Sequence, residues 1–115
     1  MRRYLAALGL VLVAASPAGA TEAFALVDGD RVVFYGDSIT EQKFYTTIVE
    51  DYVATRYPGL DVDFVNSGWT SDTVAGGFGG PIETRLARDV FAWRPTVVTV
   101  MLGMNDGHSK PWSAA

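Results

Sequence analysis

Cysteine is missing from all 115 residues, which excludes disulfides, a thiol nucleophile, thiolate metal ligands and a lipid-modified cysteine. Basic residues are few. Nine Lys and Arg against 13 Asp and Glu give a formal charge of -4, and no basic cluster follows the first few residues, so the electrostatic footprint of nucleic-acid binding is absent. No apolar run reaches the roughly 20 residues that a membrane-spanning helix needs. The run over residues 5–15 follows Arg2 and Arg3 and precedes Ala18-Gly19-Ala20, the layout of an export signal removed before Thr21. The expectation is a signal peptide over residues 1–20, no stable membrane insertion after its removal, and a secreted or periplasmic protein. Loss of Arg2 and Arg3 leaves a formal charge of -6, which argues against strongly anionic partners. Residues 21–115 are then one domain at most. With 49% hydrophobic and 19% charged residues, the 115-residue sequence carries apolar material for a core and no compositional sign of disorder.

Val32-Val33-Phe34-Tyr35 is a continuous apolar run that opens into Gly36-Asp37-Ser38, which suits a strand buried on both faces and ending in a sharp turn. A helix is expected over residues 42–57, with Phe44, Ile48, Tyr52 and Tyr45, Val49, Val53 forming its apolar stripe, ended by Pro58-Gly59. A more edge-like strand over residues 62–65 runs into Asn66-Ser67-Gly68. Residues 75–80 are too rich in glycine for regular structure and read as a flexible connection. Pro81 then opens a helix over residues 81–93, with Ile82, Leu86, Ala87, Val90 and Phe91 inward and Glu83, Arg85, Arg88 and Asp89 toward water. A third strand over residues 96–102 opens into Gly103-Met104-Asn105-Asp106-Gly107. Strands alternating with helices call for parallel crossovers and an open α/β sheet, in which ligands bind at the carboxyl ends of the strands. All three polar turns belong to that end.

Ser38 would project its hydroxyl there, where the amides of a helix start could stabilise a developing anion. The same serine opens a Ser38-Ile39-Thr40-Glu41 capping box, so a purely structural cap is the competing reading. Asn105 could turn its amide into the same crevice as an oxyanion donor, or hold its own turn. Gly68 could offer a main-chain N–H where a side chain would obstruct a substrate, or be an ordinary turn glycine. The glycines at 76–80 lack the Lys-Ser/Thr that would follow in a phosphate-binding loop. Trp69 and Trp93 read as packing residues, with Trp69 also placed to line a pocket. Asp37, adjacent to Ser38, is badly placed to take its proton.

Gly36-Asp37-Ser38, Asn66-Ser67-Gly68 and Gly103-Met104-Asn105-Asp106 resemble, in order and spacing, the first three sequence blocks of the SGNH, or GDSL, hydrolases. The resemblance spans residues 31–107. It implies a flavodoxin-like three-layer α/β/α sandwich of which this stretch supplies the first three strands. It also implies a serine esterase acting on acyl or acetyl esters of carbohydrates, lipids or small molecules. Ser38 is then the nucleophile, the Ser38 and Gly68 N–H groups and the Asn105 amide form the oxyanion hole, and no metal or organic cofactor is needed. Ser71 stands where many members have a second glycine, so that loop is expected to differ in shape. The family's base is the histidine of an Asp-x-x-His motif, which this sequence does not contain. Its one histidine, His108, follows Asp106 by two residues, and the resemblance assigns that loop to the oxyanion hole instead of to a Ser38–His108–Asp106 triad. The chain by itself is therefore expected to be inactive, an N-terminal part of a larger domain. A non-catalytic ligand-binding α/β module or an inactive fragment is the alternative.

Overall fold

The computed structural model describes residues 24–107, so the expected signal peptide and His108 lie outside the described residues. Three parallel strands form the sheet: β1 (Arg31–Gly36) in the centre, β2 (Asp63–Gly68) on one side and β5 (Val97–Met101) on the other. Centrality explains the sequence of β1. Val32, Val33, Phe34 and Tyr35 are all buried, because both faces and both edges of that strand are covered. One face packs on Val90, Leu86, Val65 and Leu102 through Val33 and Tyr35. On the other face the Phe34 ring stacks on Phe64 and meets Tyr45 edge to face. Each such fully buried side chain stabilises the fold by roughly 1.5–3 kcal/mol. The α/β expectation holds, with helical segments against both faces of the sheet.

The helix after β1 comes in two pieces. A single turn, α1 (Ser38–Glu41), stops at Lys43, whose φ of 64° is left-handed, and α2 (Phe44–Arg56) starts afresh. That restart rotates the buried face away from the expected stripe. Val53 and Thr46 are buried and Tyr45 is half-buried, whereas Phe44, Ile48 and Tyr52 point outward. Polar bonds draw the Tyr45–Thr46 side in: the Tyr45 hydroxyl pairs with Thr40 Oγ1 at 2.9 Å, and Asn66 Nδ2 donates to Thr46 Oγ1 at 3.2 Å.

Two further expectations are corrected. The glycine-rich stretch forms a tight antiparallel hairpin of β3 (Gly76–Gly77) and β4 (Gly80–Pro81), in which Gly76 and Gly80 adopt φ of 107° and 113° that only glycine takes easily. The segment at 81–93 is not one regular helix. Pro81 caps α3 (Ile82–Arg85), which widens into a π-turn over Leu86–Val90 and tightens into a 3₁₀ turn over Phe91–Trp93. A π-turn holds an extra residue, so side chains change face relative to a 3.6-residue period. Arg85 consequently points inward while Phe91 and Ala87 are exposed.

β5 leaves Val98, Val100 and Met101 substantially exposed. No helix among the described residues is long and apolar enough to cross a membrane.

Candidate active site

Parallel register aligns Gly36, Gly68 and Met101 across the sheet, so the three polar turns leave it at one end. Glycine at two of these positions has a steric cause. A Cβ on Gly36 would lie 2.1 Å from Thr40 Oγ1 and 2.7 Å from the Met101 oxygen, and one on Gly68 would lie 2.1 Å from the Glu41 nitrogen. Only bare backbone lets α1 fold down against β1 and β2. The strand ends are then tied crosswise: Trp69 N–H donates to the Gly36 oxygen at 3.0 Å and Asp37 N–H to the Met101 oxygen at 3.3 Å.

Asp37, buried and in extended conformation, is the N-cap of α1, and its carboxylate accepts the Ile39 N–H at 3.0 Å. The capping duty that could have explained Ser38 belongs to its neighbour. Ser38 is the first residue of the turn, with a hydroxyl not committed to the cap and a main-chain N–H that has no partner inside the helix. Because α1 is a single turn, an anion there would be held by individual N–H groups. The summed dipole of a long helix is not available.

The other two expected site residues are already engaged. Gly68 N–H donates to Asn66 Oδ1 at 3.1 Å, while Asn66 Nδ2 donates to the Thr40 oxygen at 2.6 Å. Asn105 Nδ2 donates one hydrogen to the Asp72 main-chain oxygen at 2.8 Å, which leaves its second amide hydrogen. Beside it the Asp106 carboxylate accepts the Val74 N–H through both oxygens, at 3.0 and 3.1 Å. The β5 turn is thereby fastened to the loop after β2. In that loop Ser71 takes φ of 60°, the left-handed conformation that a glycine would adopt without strain.

Arg85 was expected to face water and is instead 1% exposed. Its Nε donates to Asp72 Oδ2 at 2.7 Å, Nη1 to Asp89 Oδ2, and Nη2 to the Ser67 oxygen at 3.0 Å and, at 3.5 Å, to the Gly36 oxygen. The guanidinium also lies over the Tyr35 and Trp69 rings, 5.0 and 5.3 Å from their centroids. Burial disfavours its charge, but the bonds to Asp72 and Asp89 outweigh that, so its pKa rises above the ordinary arginine value. Asp89 shifts the other way: the Arg88 hydrogen bonds, then Arg85, hold it below the ordinary carboxylate value against the opposing effect of burial. A charged side chain on a helix reads as solvated unless the widened turn and its partner Asp72 are known. The available sign was the i, i+4 pair Arg85–Asp89. Trp69, held between Arg85 and Arg88, serves as packing for these guanidinium groups.

Two hollows occur elsewhere, one between α2 and β2 around Val53, Leu60 and Phe64, the other around Arg31, Asp63 and Trp93. Neither is lined by Ser38, Gly68 or Asn105.

The GDSL-like Lipase/Acylhydrolase family model matches residues 34–115. An acetylxylan esterase of Geobacillus stearothermophilus is 31% identical over 93 residues, which cover 68% of this chain and 40% of that protein. The crystal structure of an acetylxylan esterase from the same organism superposes with a TM-score of 0.61 at 29% identity, covering 70% of this chain and 41% of the other. Two further solved forms of it are catalytic mutants, a histidine-to-alanine change and an aspartate-to-alanine change three positions earlier. A gut microbial diltiazem-metabolizing enzyme matches at 36% identity and a TM-score of 0.64, over 72% of this chain and 18% of its own. The chain thus spans about two fifths of the length of the curated relative. With the matched residues containing all three strand-end turns, the chain belongs to the GDSL-like lipase/acylhydrolase family.

Proposed function

We propose that the complete protein hydrolyses carboxylic esters through Ser38. The observation that carries this reading is the division of labour at the end of β1: Asp37 caps α1, so the adjacent Ser38 hydroxyl is left out of the cap, at the sheet end where β2 and β5 also open into their turns. In the first step Ser38 Oγ gives its proton to a base and bonds to the ester carbonyl carbon, whose oxygen takes up the negative charge. Ser38 N–H, Gly68 N–H and the second amide hydrogen of Asn105 are the donors for that oxyanion, Gly68 by exchanging Asn66 Oδ1 for it. Collapse expels the alcohol, which takes the proton from the base. Water then attacks the acyl-serine carbonyl and loses a proton to the same base, and collapse breaks the acyl–Oγ bond, releasing the carboxylic acid while the base returns that proton to Ser38 Oγ.

The base is assigned to the histidine of an Asp-x-x-His pair in the complete protein, the spacing of the two positions changed in the catalytic mutants of the Geobacillus stearothermophilus esterase. Asp106 is a poor alternative partner for His108, since both its carboxylate oxygens are turned to Val74. Kinship with an acetylxylan esterase favours short acyl esters on a saccharide as the substrate class, and the pattern of residues 1–20, read as an export signal, favours a substrate outside the cytoplasm.

A fluorophosphonate probe and a nitrophenyl acetate assay on the complete protein test the reading. Labelling at Ser38 and loss of both signals in Ser38→Ala are expected, and Asn105→Ala should lower kcat by about 100- to 1000-fold, the usual cost of one oxyanion donor. A folded parent that takes no label, or near-normal turnover by Ser38→Ala, would overturn it.

A further inference from the structure

We propose that Arg85 is a positioning residue for the oxyanion hole, setting the Ser67–Gly68 peptide directly and the Asn105 amide through Asp72. The proposal rests on the esterase reading above and deepens it.

Ser67 C=O and Gly68 N–H belong to one planar peptide unit, on opposite sides of it when the bond is trans, and no described peptide is cis. Arg85 Nη2 holds the oxygen of that unit at 3.0 Å, so the cation sits at its negative end, and the Gly68 N–H at the other end donates to Asn66 Oδ1 until an oxyanion takes its place. A hydrogen bond to the carbonyl fixes the plane and polarises the N–H, making it a stronger donor to a developing anion. Nη2 also makes its long contact with the Gly36 oxygen, at the root of the turn that carries Ser38.

The second arm runs through the ion pair. Nε fixes the Asp72 carboxylate at 2.7 Å, with both side chains at most 1% exposed, and the Asp72 main-chain oxygen takes one hydrogen of the Asn105 amide at 2.8 Å. Holding one hydrogen determines where the other points. One guanidinium therefore governs donors from the second and third turns, which lie 37 positions apart in sequence. Simple stabilisation does not require such an arrangement, since well-packed apolar residues often replace a buried ion pair without loss of stability.

That replacement supplies the test. The complete protein carrying Arg85→Met with Asp72→Leu removes both charges together, and Arg85→Lys keeps a point charge that cannot reach Asp72 and Ser67 at once. Each folded variant, checked by its circular dichroism melt, is expected to lose about 10- to 100-fold in kcat with KM within about threefold of the parent, the signature of misplaced transition-state contacts. In an Asn105→Ala background the same changes should cost much less, because part of the path they act through is gone. Unchanged kcat in either folded variant, or losses that simply multiply with that of Asn105→Ala, overturn the positioning role while leaving the esterase reading in place. A parent that neither turns over ester nor takes the fluorophosphonate probe overturns both.

Discussion

The Asp37 carboxylate accepts the Ile39 N–H at 3.0 Å from a buried position, one residue before the serine that the capping box had offered for the same task. Loss of an N-cap typically costs about 0.5–2 kcal/mol. Asp37→Ala is therefore expected to lower the stability of the complete protein by at least that amount, and Ser38→Ala to leave it within about 0.5 kcal/mol of the parent. Urea unfolding of the two variants decides the matter. The opposite order would return the cap to Ser38.

Residues 21–115 alone should show no ester hydrolysis above background, and His108→Ala in the complete protein should leave kcat within about twofold. A serine hydroxyl needs a positioned base, and the Asp106 carboxylate faces Val74. Assays of the purified fragment and of the His108 variant check this. Turnover by the fragment that vanishes in His108→Ala would install Ser38, His108 and Asp106 as the working triad.

Acid should weaken the fold partly through Asp89. Its folded pKa is depressed by Arg88 first and Arg85 after it, so as pH falls the unfolded chain takes up the proton before the folded one. The stabilisation is thus complete well above the ordinary aspartate value of 3.8 and is lost as pH falls through the lower folded value. Tm of the parent is expected to drop on acidification from about pH 6 to about pH 3, and less steeply in Asp89→Asn. Asp30, lowered by the Val27 N–H and then by the Thr96 hydroxyl, acts in the same direction and leaves a residual slope. Equal slopes in parent and variant would show that Asp89 carries none of it.

Ser71 holds a left-handed φ of 60° in the loop that also carries Asp72. Relief of that strain is worth roughly 1–2 kcal/mol, and the extra freedom of glycine in the unfolded chain takes back about 0.5–1. Ser71→Gly should accordingly raise stability by up to about 1 kcal/mol, read from the urea midpoint of the complete protein. A clear loss would mean that the serine side chain contributes a contact that outweighs the strain.

The legible parts of the molecule are those where one physical demand acts alone. Val32 to Tyr35 had to be a buried central strand because no solvated position interrupts the run, and the polar turns after β1, β2 and β5 had to share one end once the strands were parallel. Where two demands compete, the reading of residue types failed. Phe44, Ile48 and Tyr52 have helical spacing, but the hydrogen bonds made between Tyr45 and Thr40 and from Asn66 to Thr46 decided which side turned in. Arg85 has the chemistry of a surface residue and the address of a core one, since the π-turn shifted the phase and Asp72, 13 positions earlier, neutralises it. The hairpin at Gly76 to Pro81 was hidden because glycine signals freedom, and here that freedom was used to make a tight reversal.

The central position of β1 has a kinetic consequence. Its first neighbour, β2, pairs Asp63 with Arg31 across 32 residues of chain, whereas Val97 of β5 must find Val32 across 65. Doubling a loop raises its closure cost by only about 0.6 kcal/mol, so both pairings are attainable, but the nearer one forms first. During synthesis the most buried of the described strands therefore waits with one edge bare until β5 has left the ribosome, and a ribosome stalled after β2 would display a ready template for intermolecular strand addition.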